Sequence, residues 1–449
     1  MPAITLSEHE RNRLNRAHPE VFSRTVWQRW GGLVLLAGAV AYLVYCWSFF
    51  EVGPKLAEGK WERASIYMAD WISWEAQPRY RFQPDGTLEI EHQRFSPLGE
   101  NPDPDWMATL PGGREEVTFG DQANRIEIAT TGVVAVLGGV PYDIAFANEA
   151  AILPDNAPAA MSEKNGRVTV DYGFAGSAEI RATQVLVRRR FLGWENFWFD
   201  TTSPFWGMGL PELWTSVTSG PQISPDQSNL SLAWNEFLTN SEWQHGDVLN
   251  KLLQTIVMAF VGTLFAATLA FPLAFIAARN VTNSRPANWI TKRFFDFTRS
   301  VDMLIWALVF TRGFGPGPLA GIAAIFVTDT GTFGKLYSEA IENIDDRQRE
   351  GVRSVGASTA DVNRFGVVPQ IAPVVISQTL YFWEANIRGA TIIGAVGAGG
   401  IGLKLLEAMR TNQDWENVAY MVLLILIVVF VFDNLSAALR ARFIGPASH

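Results

Sequence analysis

Residues Leu252–Ala278 read LLQTIVMAFVGTLFAATLAFPLAFIAA, a run without one ionisable side chain. Wound as an α-helix it reaches about 40 Å, against a hydrocarbon core of about 30 Å. A helix of that length and composition is a membrane span. It stops at Arg279, and Arg285, Lys292, Arg293 and Arg299 follow, so its C-terminal end is expected on the cytoplasmic side. Upstream, Gly31–Phe50 is also uncharged and follows Arg11, Arg13, Arg16, Arg24 and Arg29. The N-terminus is therefore expected in the cytoplasm, with residues 1–30 as a cytoplasmic segment and 31–50 as the first span. That run exceeds the 7–15 apolar residues of a signal peptide, and no small-x-small site follows Phe49-Phe50-Glu51, so an anchor is the better reading.

Two weaker spans, Ser300–Thr311 and Leu319–Phe333, flank Gly313-Phe314-Gly315-Pro316-Gly317-Pro318, whose glycines and prolines stop a helix. A polar stretch with Lys335, Arg347, Arg349, Arg353 and Arg364 follows, then apolar runs at Ile371–Val396 and Asn417–Phe432, then Arg440 and Arg442. Six crossings leave every basic cluster on one side. A missed or invented helix would strand at least one arginine cluster outside. The expected fold class is an all-α polytopic membrane protein of about six helices. The bacterial inner membrane is its expected location, with both termini cytoplasmic and residues 51–245 outside the cell membrane.

Composition agrees and narrows the function. Charged residues make up 18% of the 449, below the roughly 25% of soluble proteins. The net charge of -9 argues against nucleic acid, which is bound through basic faces. One cysteine, Cys46, and five scattered histidines leave no metal-ligand spacing. The charge is uneven: residues 51–245 hold 27 acidic and 14 basic side chains, and the rest hold 18 and 22. In the acidic middle, Tyr80-Arg81-Phe82 and Thr87–Glu91 alternate around Pro84-Asp85-Gly86, a hairpin signal. Arg125–Ile128, Tyr142–Phe146, Arg167–Tyr172 and Ala178–Val187 repeat the alternation, so a β-rich sandwich or barrel is expected over 79–190. Residues 51–78, with Trp61, Ile66, Trp71 and Trp74, read as an amphipathic outer segment. Residues 191–245, with Trp194, Trp198, Trp206 and Trp214, suit either the lipid headgroup level or an ordinary core.

Between these spans, Glu350-Gly351-Val352-Arg353-Ser354-Val355-Gly356 runs to Val367-Val368-Pro369. Gly356 permits a sharp turn between two short helices, and Pro369 suits the start of the next one. The segment resembles the cytoplasmic loop of ABC importer permeases, which reads E-A-A, three residues, G, nine residues, I-x-L-P. Gly351 and Val352 stand in place of the alanines, and Gly366 in place of the isoleucine. Downstream, Glu384-Ala385-Asn386-Ile387-Arg388 leads into Ala390–Gly402, which is similar to the phosphonate-type branch of that family, as is Gly334–Ala340. The resemblance covers about residues 245–444 and the first helix; the β-rich block departs from it.

That resemblance implies a permease core over 246–444 with a cytoplasmic coupling loop at 335–370. It implies a homodimer, ABC ATPase subunits gripping Glu350, Gly351, Arg353, Gly356 and Pro369 from inside, and a solute-binding protein delivering phosphonate, phosphite or a phosphate-like anion from outside. The remaining partner is membrane lipid. The chain has no phosphate loop ending in Gly-Lys-Ser/Thr, so ATP is expected on another subunit, with no cofactor and no catalytic or metal residue here. Gly397, Gly399 and Gly402 formally satisfy G-x-G-x-x-G, but no strand precedes them. Gly394, Gly397, Gly399, Gly400 and Gly402 are expected to let helices approach closely or line the path. Ionisable groups inside spans are functional candidates by their cost, which selects Arg388, Glu384, Asp329 and Asp302. Asn386 and Thr328 join them as path candidates. Glu384 and Arg388 share a helix face and can pair; Thr330 or Lys335 are the expected holders of Asp329. A membrane sensor using the outer β-domain on a permease-like core is the rival reading.

Overall fold

Among the described residues, four helices are long and apolar enough to cross a bilayer: Trp30–Phe49, His245–Ala277, Thr359–Ala398 and Trp415–Phe443. The computed structural model describes residues 26–59, 68–92, 98–99, 102, 104–147, 150–411 and 415–444. The basic N-terminal residues Arg11–Arg24, and Trp61 and Ile66 of the expected amphipathic segment, lie outside the described residues. The chain divides into two units, residues 1–66 and 67–449. In the first, helix α1 (Val26–Phe49) precedes a short α2 (Val52–Ala57).

The second unit opens with strands. β1 (Ser73–Ala76), β2 (Arg79–Phe82) and β3 (Leu88–Glu91) share a sheet with β10 (Met161–Lys164), β11 (Arg167–Asp171), β12 (Gly176–Arg181) and β13 (Gln184–Leu192). β4 (Met107–Leu110), β5 (Arg114–Phe119), β6 (Asp121–Ala129), β7 (Gly132–Leu137), β8 (Val140–Ala147) and β9 (Ala150–Ile152) form a meander in a second sheet. The alternating apolar side chains of both sheets meet in one core, with Val117, Ile126 and Ile144 from the meander and Tyr80, Val168 and Ile180 from the other sheet. Tyr172 Oη donates to Arg125 O at 3.0 Å between them. The β2–β3 hairpin turns where Pro84-Asp85-Gly86 sits, with Gly86 at φ 80°. Ala178–Val187, continuous in pattern, is two strands: Arg181 pairs with Gln184 across the two-residue turn Ala182-Thr183. Period-two alternation passes through so short a turn unbroken, which hides it from the sequence.

The domain's two ends are paired neighbours. Ser73 opposes Leu192 and Ala76 opposes Arg189 in antiparallel register, so the chain enters and leaves on one two-stranded stalk. Beyond it come α3 (Leu210–Thr218) and α4 (Asn229–Leu238). They are joined to the membrane helices by an aromatic box of Trp194, Phe197, Trp243 and Tyr420. In its middle His245 Nε2 donates to Phe197 O at 2.7 Å, leaving Nδ1 to accept from Tyr420 Oη at 2.9 Å.

The helical part follows as α5 (His245–Ala277), α6 (Arg285–Ser300), α7 (Met303–Phe314), α8 (Pro318–Glu342), α9 (Asp346–Ser354), α10 (Val368–Ile393), α11 (Gly400–Thr411) and α12 (Trp415–Ile444). Small residues set the packing. Ala259, Ala266, Ala270 and Ala274 of α5 are buried, and a Cβ on Gly262 would come within 2.8 Å of Ile325 on α8. Without a hydrophobic drive between helices in lipid, such close backbone approach is what packs them. α8 runs nine residues past the expected Phe333, because α6 lies against it: a Cβ on Gly334 would strike the Phe295 ring at 2.2 Å. The sequence reading had no helix at α6, whose mixed polarity suits neither a span nor a loop.

Candidate functional site

α10 carries most of the candidate residues. Val374, Tyr381, Arg388 and Ile392 are exposed along it, with Ser377 and Gln378 part-buried between them. Spacings of three, four and seven put these residues on one stripe. The opposite side, Asn386, Ile387 and Ala390, is buried, as are Ile371 and Glu384 beside the stripe. One helix thus separates the candidates: Arg388 faces outward, Asn386 faces in, and Glu384 lies buried at the border between them.

Asn386 is tied to two other helices. Its Nδ2 donates to Asp329 Oδ2 on α8 and to Thr263 Oγ1 on α5, the latter at 2.8 Å. All three are buried. Asp329 is therefore held by Asn386, not by the residues proposed from proximity: Thr330 Oγ1 donates to Phe326 O on its own helix, and Lys335 pairs with Glu339 at 3.5 Å. Thr328 Oγ1 is buried with no hydrogen-bond partner among the described residues. Asp302 caps α7, accepting from Leu304 N at 2.8 Å, which accounts for it as a helix N-cap.

Glu384 sits between two arginines. Its Oε1 lies 3.4 Å from Arg388 and its Oε2 3.6 Å from Arg440 of α12, while Asp433 lies 3.8 Å from Arg388. The expected Glu384–Arg388 pair is thus half of a larger cluster, whose α12 members sequence spacing could not supply. Glu384 is buried, but the side chains of Arg388 and Asp433 are 47% and 53% exposed. Depth makes that exposure matter. Thr263, level with Asn386, lies about 27 Å along α5 from His245 and about 21 Å from Ala277. A guanidinium that faces hydrocarbon at such depth costs roughly 2.5–3.5 kcal/mol, and the carboxylates of Glu384 at 3.4 Å and Asp433 at 3.8 Å offset only part of that, because nearly half of the Arg388 side chain stays exposed. This face needs water or protein against it.

Above Arg388 the helix breaks. Gly397, Gly399 and Gly400 have φ of 102°, 82° and 70°, a conformation that side chains with a Cβ rarely adopt. The freed backbone finds partners: Gly317 N donates to Gly397 O at 2.9 Å and Ile401 N to Thr255 Oγ1 at 2.9 Å. α11 then folds back, and a Cβ on Gly402 would lie 1.9 Å from Thr391 O. Gly394, Gly399, Gly400 and Gly402 are buried against protein. Close packing accounts for these four, and nothing in their surroundings forms a nucleotide cradle.

At the other end of α10 the chain makes a short external helix. Asp345 caps α9 by accepting from Arg347 N at 3.0 Å. Gly356, at φ 83°, ends it with its N–H on Arg353 O at 3.0 Å. Glu350, Gly351, Arg353 and Gly356 are exposed, as is Pro369. Beneath them Arg349 Nη1 donates to Asn280 O at 2.8 Å, and a Cβ on Gly366 would meet Arg349 Cα at 3.2 Å. The glycine in the isoleucine position therefore lets α9 close onto the turn before α10. Val355 and Phe365 stand 82% and 59% exposed nearby. The arrangement is a rigidly seated knob with an apolar tip.

The family model for the binding-protein-dependent transport system inner membrane component matches residues 270–445. The phosphite transport system permease protein PtxC of Stutzerimonas stutzeri is 35% identical over 235 residues, covering 52% of this chain and 79% of that one. The phosphate-import permease protein PhnE of Mycolicibacterium smegmatis is 34% identical over 198 residues, covering 44% and 37%. Among solved structures, the inward-facing MetNI methionine ABC transporter aligns at 18% identity and a TM-score of 0.39, covering 43% of this chain and 95% of that chain. With apolar spanning helices and a relative of this identity matched over most of its length, the chain belongs to the inner-membrane permease components of binding-protein-dependent ABC importers.

Proposed function

We propose that two copies of this chain form the translocation path of an ATP-driven importer for phosphonates or related phosphorus oxyanions such as phosphite. The supporting observation is Arg388: a half-exposed guanidinium on α10, deep in the bundle, on a stripe with Ser377, Gln378 and Tyr381. A guanidinium fork matches two phosphoryl oxygens; Glu384 holds one terminal nitrogen at 3.4 Å, and the half-exposed Asp433, 3.8 Å from the other, would give way to the anion. In this reading Asp329, Asn386 and Thr328 hold helices together and do not touch the anion. ATP hydrolysis belongs to separate subunits that seat on α9, and their motion reaches α10 through Gly366 and Pro369. Both termini are cytoplasmic, residues 51–245 lie outside, and a solute-binding protein delivers from there.

The test is uptake of labelled phosphite and a phosphonate by cells carrying Arg388→Lys or Arg388→Gln. Both variants should assemble and bind ATPase normally, yet import far more slowly, with Lys retaining the charge but not the bidentate fork. Uptake equal to wild type would remove Arg388 from the path. The sensor reading is favoured only by the outer β-domain. It would gain if the purified complex held no ATPase.

A further inference from the structure

We infer that α6 is an interfacial helix that contacts the inner leaflet and recognises anionic phospholipid headgroups. Its sixteen residues divide into three arcs at 100° per residue. Asn288, Phe295 and Thr298 face the protein and are buried. Lys292, Asp296 and Arg299 form a charged arc, in which Lys292 reaches Glu342 at 2.8 Å and Asp296 accepts from Arg299 at 3.0 Å. The third arc is Trp289, Ile290, Phe294 and Phe297, which are 62%, 60%, 44% and 61% exposed.

Its depth follows from its partners. Asn288 Nδ2 donates to Ile276 O in the last turn of α5 at 2.7 Å, and Lys292 meets Glu342 at the last turn of α8. Phe295 and Thr298 then lie against Gly334 and Gly331, further up α8. α6 therefore starts at the level where α5 and α8 end, the depth of the headgroup layer, and rises from there along α8 to Gly331, about 16 Å above Glu342. Two residues later α7 begins, with Ile305, Leu308 and Val309 exposed. The apolar arc is thus continuous with a membrane-facing surface, and the tryptophan sits at its outer limit, where Trp anchors concentrate.

Charge selects the lipid. Arg285 is exposed at the start of the helix and makes no ion pair among the described residues, and Arg293, its side chain 64% exposed, shares Asp296 with Arg299. Cations outnumber acids around the apolar arc, the composition of a helix that lies in an anionic interface. The inference is independent of the transported solute.

The test uses the full chain in nanodiscs of phosphatidylcholine, with or without phosphatidylglycerol. Cys46→Ala supplies the background for Ile290→Cys, Phe297→Cys and, as a control, Asp296→Cys, each carrying an environment-sensitive fluorophore. Labels at 290 and 297 should be quenched by nitroxide lipids, the first by a shallow nitroxide and the second by a deeper one, and the label at 296 by aqueous iodide. Iodide quenching at 290 and 297 would overturn the inference, and so would protection from both quenchers, which would indicate cover by a second copy or another protein. Separately, native mass spectrometry of the unlabelled chain should retain phosphatidylglycerol over phosphatidylcholine. Arg285→Gln and Arg293→Gln, both exposed and outside the packing, should each lower that preference roughly fivefold. An unchanged preference in the double variant would discard the headgroup assignment.

Discussion

Asn386 is the residue on which three helices agree, and its removal should be felt as stability. Asn386→Leu leaves the Asp329 carboxyl buried without the amide that now donates to it, and an orphaned buried polar group costs about 1–3 kcal/mol. The thermal midpoint in detergent should fall accordingly. Because the penalty belongs to the stranded partner, the double variant Asn386→Leu, Asp329→Leu should lose less than the sum of the two single changes; additive losses would mean that the two groups do not interact. A second residue reports pH. Burial works to raise the Asp200 carboxyl, but hydrogen bonds from Ser241 and Thr202 outweigh it and leave it below its ordinary value. A depressed carboxylate stabilises above its unfolded value, near 3.9, and that contribution is lost as pH falls through the folded one. Asp200→Asn should therefore expose the Ser241 amide to hydrogen exchange near neutral pH, and the difference from wild type should start to shrink only below about pH 4 and vanish beneath the folded value. At this scale the sequence selected Asp329, Asp302, Glu384 and Arg388 by the cost of charge in a span, with Asn386 and Thr328 added as path candidates. It paired Glu384 with Arg388 by spacing but could not join Asn386 to its partners, since Thr263 and Asn386 are 123 positions apart and only packing brings them together.

The external helix α9 and the reversal after α10 show the same division between pattern and packing. Gly356 was legible as a turn, because a helix that must stop in the left-handed region needs glycine. The seat under α9 was not legible, since Arg349 finds a carbonyl on Asn280 from a different loop. Gly366→Ile restores the residue of the resembled motif yet puts a Cβ 3.2 Å from Arg349 Cα, tighter than an ordinary contact. α9 should lift, and limited trypsin digestion should cut sooner after Arg349 and Arg353 than in wild type, while the midpoint of the helix bundle hardly moves. Cleavage at the wild-type rate would mean that the seat tolerates a side chain there. α6 escaped the sequence reading for a related reason: its apolar arc faces away from the protein, so its periodicity marks lipid as much as core, and only the glycines of α8 reveal which side is packed.

For the whole molecule, the outer domain poses the question of what the permease core needs. The expectation of six crossings came from the distribution of arginines, and that of the sandwich from alternation; neither revealed that both ends of the domain leave through β1 and β13. Ser73 and Leu192 oppose each other in antiparallel register, where Cα atoms lie about 5 Å apart, so a tight turn can replace everything between them. The domain keeps its own core between its two sheets, whereas α5–α12 draw on separate buried clusters and are joined to the outer segment through the aromatic box around His245. A chain in which Asn-Gly links Ser73 to Leu192 should therefore insert, purify and keep the helical signal and thermal midpoint of its bundle. The box should also survive, since Trp194 and Phe197 lie beyond the junction, although Trp194 keeps its bond to Trp71 O only if the shortened stalk holds its register. If the shortened chain aggregates or loses its midpoint, the sandwich is part of the fold of the core, and any effect of its deletion on import reflects misfolding. If the bundle survives, uptake and capture of the solute-binding protein by the same variant measure what the domain adds to transport.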